Sequence, residues 1–513
     1  MSASGSGTGR VGSAPPPAQT LRMGTAQARW VLLATVLGSS LAMLDATVVN
    51  VALERIGDDL GADFAGLQWT VNAYTLTLAS LILLGGSLSD RYGRRRVFVV
   101  GVCWFAAASA LCGLAWSTEA LVAARALQGV GGALLTPGSL AIISASFAGD
   151  DRSAAVGAWS GLGGVAGAVG PFLGGWLVDW NWRAVFLLNL PLALLVVLVA
   201  GRHVPETRDP AAAPHLDTTG TVLVAVGLGG LTYALTGTGG STSAGVLVAV
   251  GAAGVLALAL FVRVERRSSH PLVPPVLFRS RRFTAANLVT LLVYAALGVV
   301  FVLLVLQLQV VSGYSALLAG TALLPVTVLM LLFSARVGAL AQRIGPRPPL
   351  TAGPLVAAGG VLLMLRIGPD ASYLADVLPA TVVFGAGLTL LVAPLTATVL
   401  SSAEDRFAGV ASGVNNAVAR AAGLLAVAVV PTVAGIGGDD YADPGAFDAG
   451  FRTAVLILAA LLVAGAVVAA ALVGGRELRP GEEPEPGRIR LEECAHCAVT
   501  GPQVHPPQPA TAR

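Results

Sequence analysis

Residues 86–96 read GSLSDRYGRRR, and residues 338–347 read GALAQRIGPR. Set against each other, Gly86 with Gly338, Leu88 with Leu340, Arg91 with Arg343, Gly93 with Gly345 and Arg95 with Arg347 recur in register. Each copy follows an apolar run and consists of small residues, a glycine and clustered arginines. A loop repeated in this way is expected of a chain built from two related halves.

The rest of the chain fits around that repeat. Of its 513 residues, 55% are hydrophobic and only 12% charged, and the mean hydropathy is +0.78. A water-soluble domain carries about a quarter of its residues as charges. Apolar runs near the length of about 20 residues that spans a bilayer as helix occur at 30–52, 68–88, 97–116, 120–144, 154–178 and 184–200. Two more follow at 218–235 and 244–262, and a second block comprises 284–311, 317–341, 350–365, 373–395, 408–434 and 451–473. The expectation is an all-α polytopic membrane protein of 14 transmembrane helices: a six-helix half over 30–201, two inserted helices within 202–283, and a second six-helix half over 284–474. Residues 1–29 and 475–513, rich in small residues, Pro and Glu, read as disordered cytoplasmic tails. No apolar run precedes residue 30, so no cleavable signal is expected.

Charge gives the orientation. Every basic side chain is arginine, and short loops rich in arginine stay on the cytoplasmic side. With the N-terminus inside, Arg55, Arg183, Arg366 and Arg452 fall outside, Arg125 and Arg420 fall within spans, and the remainder of the 31 lie toward the cytoplasm. The opposite loops carry Glu54, Asp58, Asp59 and Asp63 after the first span, and Asp439, Asp440, Asp443 and Asp448 after the thirteenth. Both termini are therefore expected in the cytoplasm of a bacterium, the chain being multi-pass in its inner membrane. A net charge of +3 is explained by topology and calls for no nucleic-acid partner. A chain without lysine has no GxxxxGK[ST] loop, which excludes ATP as the driving force on the usual chemistry. The five histidines lie in loops or the tail, which disfavours a membrane-embedded enzyme. Cys494 and Cys497, with His496 and His505 nearby, make a weak zinc signal in a Pro-rich end, and neither metal nor cofactor is expected.

Asp45 is the most informative single residue, because an acid inside a span costs about 2.5 to 3.5 kcal/mol on insertion scales and is rarely kept without use. Arg125 is its counterpart in the fourth span. Asp45 precedes the end of its span by about two turns and Arg125 follows the start of its own by about one and a half, so both lie roughly 8 to 10 Å below the same surface. In dry surroundings an adjacent guanidinium favours the ionised acid and its withdrawal favours the protonated one. Proton affinity would then follow conformation. A structural hydrogen-bonding acid and a snorkelling arginine are the plainer readings of the two residues. In the fifth span, SGLGGVAGAVGPFLGGW (160–176) places small residues at helical spacings, which allows close helix packing.

The loop at 86–96 closely resembles the signature of the major facilitator superfamily. The resemblance implies that Asp90, Arg91 and Arg94, with Gly86 and Gly93 in the same motif, latch the cytoplasmic ends of helices. LDATVVNVALERI (44–56) resembles the first-span signature of the fourteen-span drug:proton antiporters, the EmrB/QacA subfamily, with Glu54 in place of the usual proline. LVAARALQGVGG (121–132) resembles the superfamily's fourth-span motif, which implies a proton-coupling role for Arg125. Gly167, Gly170, Pro171, Gly174 and Gly175 match the fifth-span antiporter motif that marks exporters. The fold implied is the major facilitator fold, with the first and fourth helices lining a central cavity. Its candidate lining is Trp69, Asn72, Tyr74, Gln128, Phe301, Asn415, Asn416 and Arg420, though hydrogen bonding between helices would equally explain the last three. The function implied is proton-coupled efflux of small amphipathic or cationic drugs or antibiotics by alternating access, performed by a monomer. The alternatives are a dedicated exporter of one endogenous metabolite or self-made antibiotic and, more remotely, a membrane-embedded enzyme or a non-transporting sensor.

Overall fold

Gly93 and Gly345, the second glycines of the two loop copies, take φ of +115° and +88°, a region that residues with a side chain seldom enter. Each therefore ends one helix and starts the next with almost no connecting chain. This is why glycine recurs at that register.

The computed structural model describes residues 21–474 except 148, 209–216, 238–241, 269–270, 272, 404–407 and 438–442. The first block comprises α1 (Ala26–Leu60), α2 (Phe64–Tyr92), α3 (Arg94–Gly113), α4 (Thr118–Ser146), α5 (Gly149–Trp180) and α6 (Arg183–Leu187 with Asn189–His203). Two helices follow, α7 (Thr218–Thr236) and α8 (Ala244–Glu265). The second block comprises α9 (Arg281–Leu306), α10 (Ala316–Thr321 with Leu324–Ile344), α11 (Arg347–Leu363), α12 (Leu378–Ser401), α13 (Ala408–Val433) and α14 (Pro444–Leu472). Thirteen helices among the described residues are long and apolar enough to cross a membrane, and the 32-residue α5 lies between the fourth and fifth of them.

Helices outrun the apolar stretches, because polar first and last turns are capped by their own side chains. Thr25 accepts from the Ala28 amide at the start of α1, and Asp63 from the Gly66 amide at the start of α2. Order consequently begins before residue 30: the Leu21 amide donates to the Ser146 carbonyl at 2.8 Å, within the segment expected to be a tail. The C-terminal tail, with Cys494, His496, Cys497 and His505, lies outside the described residues, as do Asp439 and Asp440. Proline, which lacks an N–H, shapes two interruptions. The second piece of α10 starts just before Pro325, and that of α6 just before Pro191.

Packing repeats between the blocks. In the first, α4 packs on α2 and α3, and α1 on α5 and α6; in the second, α12 packs on α10 and α11, and α9 on α13 and α14. The halves meet where α2 lies against α13 and α5 against α10, two contacts exchanged by the same correspondence. The inserted α7 packs on α8 and touches both α2 and α13, so it lies beside one of these seams. Leu256 and Val248 of α8 are 69% and 71% exposed, as suits a surface facing lipid acyl chains. This is an all-α, multi-pass membrane fold.

Close helix crossings rest on glycine. A Cβ at Gly129 of α4 would lie 1.9 Å from Thr77 Oγ1 and 2.4 Å from the Tyr74 carbonyl oxygen. Overpacking costs about 1–3 kcal/mol even in tolerant cores. Gly129→Val is expected to lower the unfolding temperature of the detergent-solubilised protein by several degrees, read by tryptophan fluorescence.

Candidate functional site

Asp45 on α1 and Arg125 on α4 meet in the interior of the first block. The Arg125 guanidinium is ion-paired to Asp45 Oδ2 through Nη1, and the two side chains are 1% and 0% exposed respectively. Arg125 Nε donates to the Thr70 carbonyl of α2 at 3.0 Å. The other carboxylate oxygen, Asp45 Oδ1, accepts from Gln128 Nε2 at 2.7 Å and Asn189 Nδ2 at 3.1 Å. Ser109 of α3 takes second bonds from both amides, at 2.8 and 3.2 Å. The guanidinium also stacks 4.3 Å from the Tyr74 ring centroid. The α1 carboxylate thus gathers side chains from α4 and α6 and, through their amides, Ser109 of α3. Such a pair is held only because its remaining hydrogen-bonding positions are filled.

Several cavity candidates sit elsewhere. Gln128 and Tyr74 belong to the Asp45–Arg125 cluster. Trp69 lies 6.3 Å from Tyr233 of α7 and lines a groove of about 840 Å³ between α2 and α4, at the bundle end away from the 86–96 loop. Phe301 packs against Phe384 at 6.3 Å within the second block. Asn415 accepts from Thr290 Oγ1 at 2.7 Å, and Asn416 is exposed. Asn72 and Arg420 fall on the helices of the α2–α13 seam.

The glycines of α5 divide their work. A Cβ at Gly170 or Gly174 would meet Thr47 Oγ1 at 2.2 Å or Val48 Cα at 3.1 Å, on the stretch of α1 next to Asp45. A Cβ at Gly175 would meet Leu317 Cα of α10 at 2.4 Å. α5 thus touches the acid-bearing helix on one face and the opposite half on the other. Gly167 and Pro171 lie in the same helical run.

The 86–96 loop joins the end of α2 to the start of α3. Asp90 in the last turn of α2 pairs with Arg94 at the start of α3 at 2.8 Å, and Arg91 stacks on neighbouring Tyr92 at 5.3 Å. The tie to another element runs through Glu206, just past α6, which lies 3.7 Å from both Arg95 and Arg96 and accepts from the Arg95 amide at 3.2 Å. An acid at a helix N-terminus is favourably placed. Gly93 is hemmed in by it, since a Cβ there would lie 2.5 Å from Glu206 Oε1. At Gly86 the nearest atom to an added Cβ is 3.8 Å away. Glu206→Ala is expected to lower stability by about 1 kcal/mol, the scale of a lost helix cap, read as a small fall in unfolding temperature with folding preserved.

The sequence profile of the Major Facilitator Superfamily matches residues 35–428. The chain belongs to that superfamily. The cephamycin export protein CmcT of Amycolatopsis lactamdurans is 38% identical over 434 residues, covering 83% of this chain and 89% of the relative. The puromycin resistance protein pur8 of Streptomyces alboniger is 36% identical over 427 residues, covering 82% and 85%. Among solved structures, a POT family transporter in complex with a thioalcohol-conjugated peptide gives a TM-score of 0.64 at 15% identity, covering 85% of this chain and 94% of that one. The inward-open xylose transporter XylE from E. coli gives 0.58 at 16%, covering 88% and 98%. At such identities the structural likeness concerns fold alone.

As a major facilitator protein, the chain is a membrane transporter and not an enzyme. Reading the sequence found Asp45 and Arg125 because charge inside a span is conspicuous. It missed Ser109 and Asn189, since a serine or asparagine near a helix end is unremarkable until the helices are packed. Glu206 was hidden in the same way, among ordinary loop acids.

Proposed function

We propose that this chain is a proton-coupled antiporter that exports small amphipathic molecules across the bacterial cytoplasmic membrane by alternating access. The observation that carries the reading is the fully buried Asp45–Arg125 pair with its amide partners. While ionised, Asp45 holds Arg125, Gln128 and Asn189, and through them α1, α4 and α6. Protonation removes the charge that Arg125 answers and leaves the guanidinium with the Thr70 carbonyl and Gln128. The balance between two packings of α1 against α4 shifts accordingly. Because α5 lies on α1 beside Asp45 and on α10 beyond it, that shift reaches the contact between halves. Proton and cargo are therefore linked through helix packing, without sharing one pocket.

The direction of export is supported by the resemblance of Gly167, Gly170, Pro171, Gly174 and Gly175 to the fifth-span motif of exporters and by relatives named for export and resistance. Arginine sorting supports both termini lying in the cytoplasm, with the 86–96 loop at the cytoplasmic face. The opposite end is then external. There the halves are tied by Gln68 Nε2 to the Val427 carbonyl at 2.7 Å and Gln309 Nε2 to the Val51 carbonyl at 3.2 Å. A monomer suffices, since the pair and both seams lie within one chain. One proton moving down 100 mV supplies about 2.3 kcal/mol, enough for more than tenfold accumulation of cargo.

In proteoliposomes, an imposed proton gradient is expected to drive uptake into inside-out protein, and a protonophore to abolish it. Uptake indifferent to the protonophore overturns the coupling. A dedicated exporter of a single self-made compound is the second reading, favoured by relatives whose names specify one antibiotic each. Transport of many unrelated dyes would exclude it.

A further inference from the structure

Arg420 lies midway along α13 and is half-buried. Among the described residues it makes no ion pair and no hydrogen bond, in contrast to Arg125. Guanidinium stays charged at any physiological pH, and a charge within a span is expected to face a partner or a pathway. Among the described residues no acid pairs with it: α13 and the neighbouring α7 and α9 carry no Asp or Glu, α2 carries only Asp90, in its last turn and paired with Arg94, and both oxygens of the buried Asp45 are occupied.

A second, independent observation falls on the same seam. Asn72 of α2 is 0% exposed, and neither its Oδ1 nor its Nδ2 has a hydrogen-bond partner. Buried amides are almost always paired, so both atoms await a group that the chain does not supply. The antiparallel register of α2 and α13 is set at two points: Gln68 bonded to the Val427 carbonyl, and Leu83 Cδ2 lying 3.0 Å from where a Gly413 Cβ would stand. Residues 68, 72, 79 and 83 share one helix face. Counting between the two contacts places Asn72 opposite the turn of α13 that contains Arg420 and Gly423. On the α9 side, Gly423 approaches Tyr294, and Thr290 binds Asn415 one turn away.

We propose that Arg420 and Asn72 form the recognition site for an acidic group, a carboxylate or ionised phenol, on the exported molecule. The planar guanidinium presents parallel N–H donors to both oxygens of a carboxylate or to the single oxygen of a phenolate, and the Asn72 amide donates a further hydrogen bond. Asp45 and Arg125 cancel each other, so one anion also neutralises the charge left inside the bundle. Whereas the sequence suggests amphipathic or cationic cargo, the seam selects acidic amphipathic cargo. The inference rests on the export reading, and a lipid phosphate offers the same anionic chemistry from another source.

Binding of fluorescein, a carboxylate dye, and of ethidium, a cationic one, is measured by fluorescence anisotropy on purified protein in neutral detergent. Wild type is expected to prefer fluorescein. Arg420→Gln should weaken fluorescein about ten- to a hundredfold, as for the loss of hydrogen bonds to a charged group, and leave ethidium unchanged or tighter. Arg420→Lys should recover part of the loss, and Asn72→Ser, a milder change, should weaken fluorescein alone. Each variant is checked by its unfolding temperature, and Asn72→Ser decides if Arg420→Gln does not fold. Wild type that binds neither dye or prefers ethidium, or Arg420→Gln with unaltered fluorescein affinity, overturns the proposal. Displacement of fluorescein by phosphatidylglycerol at equal concentration reassigns the site to lipid and likewise overturns it. No gradient is present, so a failure of proton coupling would leave the result standing.

Discussion

Asp45→Asn is expected to reduce proton-driven export by about two to three powers of ten, because removing one member of a buried ion pair costs about 3–5 kcal/mol. The substitution keeps shape and volume but removes both the titratable group and the charge facing Arg125. An amide also accepts at one atom only, whereas the carboxylate accepts from Arg125 at one oxygen and from Gln128 and Asn189 at the other. One of those donors must then face an NH2 group. Asparagine also resembles the protonated acid, so the variant should rest in the proton-loaded packing and lose the pH dependence of transport. Counterflow, the exchange of labelled for unlabelled cargo without net proton movement, should survive better than gradient-driven uptake. The measurement is uptake into proteoliposomes at several imposed pH differences. A variant that keeps the wild-type pH response would show that the proton is carried elsewhere.

Gly175→Leu is expected to abolish transport in every mode while the protein still inserts. A leucine cannot occupy a position where even a Cβ would lie 2.4 Å from Leu317 Cα and 2.8 Å from the Ala316 carbonyl oxygen. These are backbone atoms, and unlike the end of a flexible side chain they yield only if the helix moves. The strain therefore falls on the contact between α5 and α10, at the end where Gln309 binds the Val51 carbonyl. Relief comes by holding the halves apart there, which arrests alternation. Gly170→Ala is the informative companion, since its nearest obstacle is the Thr47 hydroxyl, which can rotate. It should keep substantial activity. Cysteine accessibility at Leu317 in a Gly175→Leu background would report the separation directly.

The two variants probe different links of one chain of coupling. Asp45→Asn leaves the mechanical contact intact and removes its trigger, so exchange persists. Gly175→Leu leaves the trigger intact and removes the contact, so exchange is lost. If both lost exchange equally, the pair would be holding the first block together and not controlling it.

Much of the architecture follows from sequence alone, because in lipid every backbone polar group has to be satisfied within its own helix. Once apolar length and arginine placement are known, the choice of helix and the order of spans leave little freedom. Glycine at 93 and 345 was likewise legible, being required wherever two helices join through positive φ. What the sequence could not decide was which polar residues share a neighbourhood. Contacts between helices depend on rotation and crossing, and a single residue of rotation turns a side chain by about 100°. Tertiary structure alone therefore brought Ser109 and Asn189 to Asp45, moved Gln128 from the candidate cavity into the ion-pair cluster, and put Glu206 beside the 86–96 loop. Among the described residues it also left Arg420 and Asn72 unpartnered on one seam, because the helices packed there carry no acid near their middle.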